Sequence, residues 1–413
     1  MNFSGSIDFS PKIVSALRHY STARFKSDLI AGIVVGIVAL PLAIAFGIAS
    51  GVSPTVGLTT AIIGGFIVSA LGGNSVQIGG PTGAFIIIVY SIIQQYGLEG
   101  LGVATFMAGV MLVAMGLFHL GTVIKFIPYP IVVGFTAGIA LTIFSTQIND
   151  FFGLGLADVP GAFISKWGVY FEHIGDISWT TLAVGAVSLA IIVLTPRISK
   201  RLPGALMAIV VVTAGVALLH SLIPEFAVET IGDRFGDMET DLPAPQTFAW
   251  DMEVINNLMP WAFTIAVLAA IESLLSATVA DGVTGSHTNS NTELIGQGAA
   301  NIVVPFFGGI PVTGAIARTM TNISNGGRTP VAGVVHAVVL LLIFLFAMPL
   351  INHVPMACLA AVLIVVAYNM SGWRTLVAIF HTHRSDISVL LVTFFLTVIF
   401  DLTIAIAVSY THL

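Results

Sequence analysis

The chain has 413 residues, 56% of them hydrophobic, and only 14 basic and 20 acidic side chains, so 8% are charged. A soluble domain carries about 25% charged residues. The shortfall excludes a soluble globular enzyme, a disordered chain and a nucleic-acid binder. The single cysteine, Cys358, excludes a disulfide framework and a cysteine-based metal site. A net charge of −6 matters less than where the charges lie.

The first 27 residues hold Lys12, Arg18, Arg24 and Lys26 but no apolar core of a cleavable signal. Residues 11–25 predict a short helix on the cytoplasmic surface, or an unstructured leader. Asp28 stands just before the first apolar run, where a carboxylate caps a helix. Apolar runs then follow one another with short breaks, and a bilayer span needs roughly 20 apolar residues. They predict fourteen segments, near 29–49, 55–72, 82–96, 101–121, 127–150, 179–196, 204–223, 257–280, 292–307, 312–324, 329–350, 355–370, 373–382 and 386–408. Segments 312–324 and 373–382 are too short to cross alone.

Charge in the loops gives an orientation. The basic N-terminus and the Arg197, Lys200, Arg201 cluster belong in the cytoplasm. Loop 224–253, running from Glu225 through Asp237, Glu239 and Asp241 to Glu253 against a lone Arg234, belongs outside. Segment 153–177, with Asp158, Glu172 and Asp176 against Lys166, belongs there too, and Lys125 and Arg328 fall inside.

The chain repeats itself. Gly79-Gly80-Pro81-Thr82-Gly83-Ala84 returns as Gly308-Gly309-Ile310-Pro311-Val312-Thr313-Gly314-Ala315, and the Pro-led segment at Pro128 returns at Pro355 with nearly the same offset. Two halves of seven segments follow, and an odd number per half turns the second upside down. Each Pro-x-Thr-Gly-Ala stretch reads as extended chain running into a helix start. Proline suits a first turn because it has no N–H to leave unpaired, and glycine lets a ligand approach the backbone. Two inverted helix starts, with Thr82 and Thr313 at their mouths, would face each other near the midplane and offer free N–H groups to an anion.

Two ionisable residues lie within apolar segments. Arg318, one turn into the second short helix, either adds positive potential to that site or snorkels outward beside Arg328. Glu272 sits deep in Ala269-Ala270-Ile271-Glu272-Ser273-Leu274-Leu275-Ser276. An intramembrane carboxylate is a functional candidate by default: it exchanges protons, or stays ionised beside a sodium ion. Ser276, four residues on, shares its helix face and could supply an oxygen ligand. The structural alternative is a hydrogen bond from Glu272 to Arg318 or to backbone. Asp150 and Asp401 are weaker candidates, and the His381, His383 pair reads as solvated rather than metal-binding. No metalloprotease, serine-hydrolase or phosphate-loop motif occurs, so the chain is not read as an enzyme.

Taken together these residues resemble the sulfate permease (SulP) family of anion transporters. The resemblance rests on Pro41-Leu42-Ala43-Ile44-Ala45-Phe46-Gly47-Ile48-Ala49-Ser50-Gly51 followed by Pro54-Thr55-Val56-Gly57-Leu58, on Gly80-Pro81-Thr82, on Glu272-Ser273-Leu274-Leu275, and on 308–330. It covers residues 25–408. It implies an all-α polytopic fold of about fourteen segments in a seven-plus-seven inverted repeat, with core and gate domains and two half-helices meeting at the midplane. A cytoplasmic segment (1–27) would precede a transport domain (28–408) made of repeats 28–223 and 254–408. By position Phe46, Thr82, Gly83, Ala84, Gly314, Ala315, Ile316 and Ala317 would line an anion site with Arg318 adjacent. Glu272 and Ser276 fall where bacterial members hold a coupling proton or cation, so a sodium ion would sit among Glu272, Ser276 and Gly314. No other cofactor is implied.

The resemblance also implies a homodimer in a bacterial inner membrane, moving a small anion by alternating access, coupled to protons or sodium. Many sulfate-transporting members carry Gln and Tyr where this chain has Leu42 and Phe46, which aligns it with bacterial members linked to bicarbonate or C4-dicarboxylates. A C4-dicarboxylate transporter, an uncoupled anion channel and a nucleobase transporter stand as alternatives on the same architecture. A nucleobase site would use more side-chain hydrogen bonders than the Ala and Ile here. The family's cytoplasmic STAS domain would follow the last segment and is absent from the sequence, whose end at Ser409-Tyr410-Thr411-His412-Leu413 reads as a truncation.

Overall fold

A computed structural model describes residues 9–399 except 19, 125–128, 158, 161, 200–201, 224–225, 237–242 and 249–250. Lys125, Pro128, Asp158, Lys200, Arg201, Glu225, Asp237, Glu239, Asp241, Asp401 and the 409–413 tail therefore lie outside the described residues. Eighteen helices and two short strands make up the described chain.

Helices α1 (Lys12–Arg18) and α2 (Thr22–Ala49) replace the single surface helix expected over 11–25. The break has a local cause: the Ser21 hydroxyl accepts the Arg24 N–H at 3.3 Å and its carbonyl accepts the Phe25 N–H, so a new helix opens there. It runs without interruption into the first apolar segment. Asp28 therefore lies inside α2 and does not cap it. Its buried carboxylate accepts the N–H groups of Arg328 and Thr329 and the hydroxyls of Thr329 and Tyr20. Burial, then the bond to Asp28, pushes the Tyr20 phenol up to about 12, which keeps it a donor.

Helix α3 (Pro54–Leu71) opens on a proline, whose missing N–H costs nothing in a first turn. The third and fourth predicted segments share one long helix, α4 (Ile86–Leu117), kinked at Gly97, where φ is +69°. Then follow α5 (Gly121–Ile124), α6 (Tyr129–Thr146), α7 (Ile148–Phe152), α8 (Phe163–Glu172), α9 (Trp179–Ile198), α10 (Gly204–Leu222) and α11 (Ile231–Phe235). The second half holds α12 (Met252–Thr284), α13 (Ser290–Val303), α14 (Ile316–Ser324), α15 (Val331–Ile351), α16 (Met356–Met370), α17 (Trp373–Ile379) and α18 (Arg384–Ile399). Within the described residues every predicted segment falls on a helix, and residues 400–408 of the last one lie outside them. Among the described residues nine helical stretches are long and apolar enough to cross a membrane.

The chain divides into two compact units. The first comprises Met1–Ala43, Val56–Ile127 and Leu242–Leu342. Within it α12 and α13 pack on α4. Close approach depends on small residues: a Cβ at Gly298 would lie 2.7 Å from the Gly109 carbonyl oxygen, and one at Gly36 2.7 Å from Val339.

The second unit comprises Ile44–Thr55, Pro128–Asp241 and Ile343–Leu413. Here α6 packs on α18, and α9 on α10 and α16. The acidic loop expected outside is partly structured. Thr230 and Asp233 form a reciprocal cap on α11, and Ile231 and Gly232 donate to the carbonyls of Val354 and Asn352. Arg234 forks onto Asp150 at 2.8 and 3.1 Å and onto Glu229, so Asp150 is half of an ion pair that staples this loop.

Candidate functional site

The two Thr-Gly repeats meet inside the first unit. Strand β1 (Gly79–Gly80) pairs antiparallel with β2 (Thr313–Gly314), Gly79 opposite Gly314 and Gly80 opposite Thr313. Antiparallel pairing sends the chain away from the crossing in opposite directions. After β1 come Pro81, an extended Thr82 (φ −132°, ψ 160°), a 3₁₀ turn over Gly83–Phe85 and then α4. After β2 come an extended Ala315 (φ −104°, ψ 112°) and α14. Both helices thus turn their N-terminal ends toward the crossing, and neither has a side-chain cap. Uncapped first turns present N–H groups and the positive end of the helix dipole.

Helix α12 supports β2 from behind. The Thr313 hydroxyl donates to the Ala269 carbonyl at 3.0 Å and lies 2.7 Å from the Ser273 hydroxyl, whose oxygen accepts the Gly314 N–H at 3.1 Å. One turn on, Ser276 donates to the Thr319 hydroxyl at 3.3 Å, and that oxygen also accepts the Ile78 N–H at 3.0 Å. Thr319 thus ties the approach to β1 to α14. Each such bond, left unmade in a buried place, costs about 1–3 kcal/mol. Gly314 leaves room for the Gln77 side-chain amide, which a Cβ there would displace. Gly80 is required twice over: its φ is +149°, and a Cβ would fall on the Arg318 guanidinium.

Arg318 does not snorkel. It is 2% exposed and turns back to give one guanidinium N–H to the Pro81 carbonyl, while Nη1 has no partner. Arg328 takes a different course, donating to the carbonyls of Ile323 and Gly327. A buried cation with an unused donor is held beside the first helix start. Thr82 Oγ1 and Gln77 Oε1 are likewise buried without a partner. Such groups are uncommon in folded chains and point to a ligand or to water.

Glu272 lies at mid-length of α12 and is 9% exposed. Among the described residues it makes no hydrogen bond and no ion pair, so the structural alternative of a bond to Arg318 or backbone is not realised. Its oxygens are free to take a proton or a cation. Ser276 spends its proton on Thr319 and keeps lone pairs for a cation. These oxygens fit a sodium ion chemically. Among the described residues no cluster of three His, Cys, Asp or Glu exists. Thr82, Gly83, Ala84, Thr313 through Arg318, Glu272 and Ser276 all belong to the first unit, and Phe46 belongs to the second, where it is buried.

A model of the sulfate permease family matches residues 25–393. This chain belongs to the sulfate permease family. It is therefore an integral membrane protein of a transporter family and not an enzyme. It is 47% identical over 388 residues to the "Putative sulfate transporter YvdB" of Bacillus subtilis (strain 168), covering 94% of this chain and 72% of that one. It is 31% identical over 363 residues to the bicarbonate transporter BicA of Synechocystis, covering 86% of this chain and 63% of BicA. The solved transmembrane domain of a cyanobacterial BicA superposes with a TM-score of 0.85 at 30% identity, over 94% of this chain and 98% of that domain. The structure of SLC26A9, 18% identical, shares the fold with a TM-score of 0.88.

Several residues at this sulfate permease site escaped the reading of the sequence. Ser273 and Thr319 lie within stretches read only for their resemblance and Gln77 within none, and their partners across the crossing are what give all three meaning. Glu293, Gln297 and Asn301 left a visible signal, a polar stripe of spacing four inside the predicted segment 292–307.

Proposed function

We propose that the chain is a secondary active transporter of small inorganic anions of the bicarbonate and sulfate class, working by alternating access. One observation carries the reading: two uncapped helix starts converge on a two-residue antiparallel crossing, with the buried Arg318 unpaired at Nη1 beside it. N–H donors and one fixed cation suit a compact anion. Two relatives, YvdB, named a "Putative sulfate transporter", and the bicarbonate transporter BicA, support the same substrate class.

In this reading Thr82, Gly83, Ala84, Thr313, Gly314, Ala315, Ile316 and Ala317 line the anion site with Arg318. Glu272 carries the coupling. Alone and buried, it takes a proton, or with Ser276 and the Gly314 backbone it holds a sodium ion whose charge offsets its own. The protein works as a homodimer in a bacterial inner membrane, N-terminus in the cytoplasm.

Uptake into proteoliposomes tests this. Labelled bicarbonate, sulfate and succinate are offered to wild type and Glu272→Gln under imposed sodium or proton gradients. The expected outcome is concentrative uptake of one inorganic anion under one gradient, lost in Glu272→Gln. Succinate as the accumulated substrate would move the assignment to dicarboxylates. Conductance without accumulation would replace the transporter with a channel.

A further inference from the structure

Strands β1 and β2 are two residues each, and a ladder that short does not set its own register. Their leaders, however, are held by one helix. Glu293, Gln297 and Asn301 of α13 are spaced by four, so they form one stripe along a single face, and all three are fully buried. At the start of the stripe, Glu293 Oε2 accepts the N–H groups of Gly73 at 2.8 Å and Asn74 at 3.0 Å. The Asn74 side chain passes this on, its oxygen accepting the N–H groups of Val76 and Gln77 at 2.8 Å each. That chain of bonds ends at the residues leading into β1.

At the far end, Asn301 closes a ring with Val312, the residue before β2. Its Oδ1 accepts the Val312 N–H and its Nδ2 donates to the Val312 carbonyl, both at 2.8 Å. A neighbouring strand's peptide would make the same two bonds. Nδ2 also donates to the Gln297 carbonyl, and Gln297 Nε2 donates to Glu293 Oε1, each at 2.8 Å. Helix α13 has no room to slide. A Cβ at Gly296 would lie 2.9 Å from Gly72, and one at Gly298 2.7 Å from the Gly109 carbonyl.

We propose that Asn301 is a positioning residue for the anion site: through the α13 stripe it fixes β2 in register with β1 and so sets the spacing of the two helix starts. The proposal rests on the anion-site reading above and touches no substrate atom itself.

Asn301→Asp is the informative change. It keeps the acceptor for the Val312 N–H but puts an oxygen where Nδ2 faced two carbonyls. Protonation of the new carboxyl restores one donor, so acid should rescue part of the defect, which a lost packing contact would not do.

Two readouts are taken on purified full-length protein. Hydrogen exchange is followed over 76–80 and 310–318, with α16 as the reference. The anion dependence of uptake is measured in proteoliposomes. Near neutral pH, Asn301→Asp is expected to speed exchange in both segments and leave α16 unchanged. Its KM should rise about tenfold with Vmax within about twofold of wild type, and the KM ratio to wild type should narrow at mildly acidic pH. Glu293→Gln, a milder change at the other end of the stripe, should shift both readouts in the same direction by roughly threefold, and it decides the matter if Asn301→Asp does not fold. Faster exchange over 310–318 alone overturns the proposal. So does a lower melting temperature with unchanged KM, or a fall in Vmax alone. If wild type moves no anion, the functional reading fails separately, and the exchange data still decide whether Asn301 sets the register.

Discussion

The two units bury polar groups in different proportions of local and cross-element bonds. In the second unit the buried hydroxyls mostly bond within their own helices: Thr142 to Gly138, Ser145 to Leu141, Ser188 to Val184, Thr195 to Ile191, Thr393 to Val389 and Thr397 to Thr393. These bonds satisfy a hydroxyl within its own helix; of these residues Ser145 also reaches another element, its oxygen accepting the Trp167 indole N–H at 3.0 Å. In the first unit Ser69, Thr105 and Thr264 also bond within their own helices, but others cross between elements: Ser273 to Thr313, Ser276 to Thr319, Ile78 to Thr319 and Ile310 to Thr60. Buried carboxylate, ammonium, guanidinium and imidazole side chains divide the same way. Asp28, Glu272, Glu293, Arg318 and His336 are in the first unit, against Lys166 among the described residues of the second. One unit is built to hold a polar crossing in register, the other to present apolar helices.

Two carboxylates of the first unit sharpen the point. Glu293 receives three donors and serves as an anchor, while Glu272 receives none. The oxygens of Glu293 are spent on the scaffold and those of Glu272 are not, and this separates the coupling candidate from the anchor.

The largest expected effect is at Glu272. Glu272→Gln should cut gradient-driven uptake at least about a hundredfold while leaving anion binding within twofold, as read by accumulation and by equilibrium titration. Next comes Gly314→Ala, whose Cβ meets the Gln77 amide. It should weaken anion binding roughly tenfold or more, measured on purified protein. Then a matched pair tests the contrast directly. Ser273→Ala removes cross-element bonds and should cost about 1–3 kcal/mol, whereas Ser188→Ala removes a bond within a helix and should cost under about 1 kcal/mol; thermal unfolding checks both. Equal losses would break the comparison.

Smaller still, Arg234→Ala should lower stability by up to about 1 kcal/mol and leave KM unchanged, because its partners are partly exposed and lie in the second unit. Lys166 closes the series. Burial lowers its ammonium to about 8 from the ordinary 10.5. The folded state therefore binds this proton less tightly than the unfolded state, so the cost is fully present below about 8 and relieved as pH rises toward 10.5. Lys166→Met should raise the melting temperature near neutral pH, with the gain shrinking in alkaline buffer.

How much of this was legible beforehand follows from the range of each interaction. Apolar runs mark helices because every turn reports on its own surroundings, so within the described residues each predicted segment met a helix. The doubled Thr-Gly-Ala motif located both helix starts and the pair of extended stretches before them. What it could not supply was the pairing of Gly79 with Gly314, since two-residue strands leave no alternation to read. Asp28 read as a cap because its partners, Arg328 and Thr329, lie at the other end of the unit. The break between the third and fourth predicted segments was legible, because Gly97 and its polar neighbours interrupt the apolar run and Gly97 leaves the helical conformation there (φ +69°, ψ −174°). Asn301 shows the same limit: its spacing from Glu293 was visible, and its bond to Val312 was not.

The most direct test of the central claim, that the anion sits at the crossing in the first unit, is equilibrium titration of the transported anion into wild type, Gly314→Ala and Ser188→Ala. The account predicts a Kd raised at least about tenfold in Gly314→Ala and unchanged within about twofold in Ser188→Ala. The same Kd in all three proteins would contradict it.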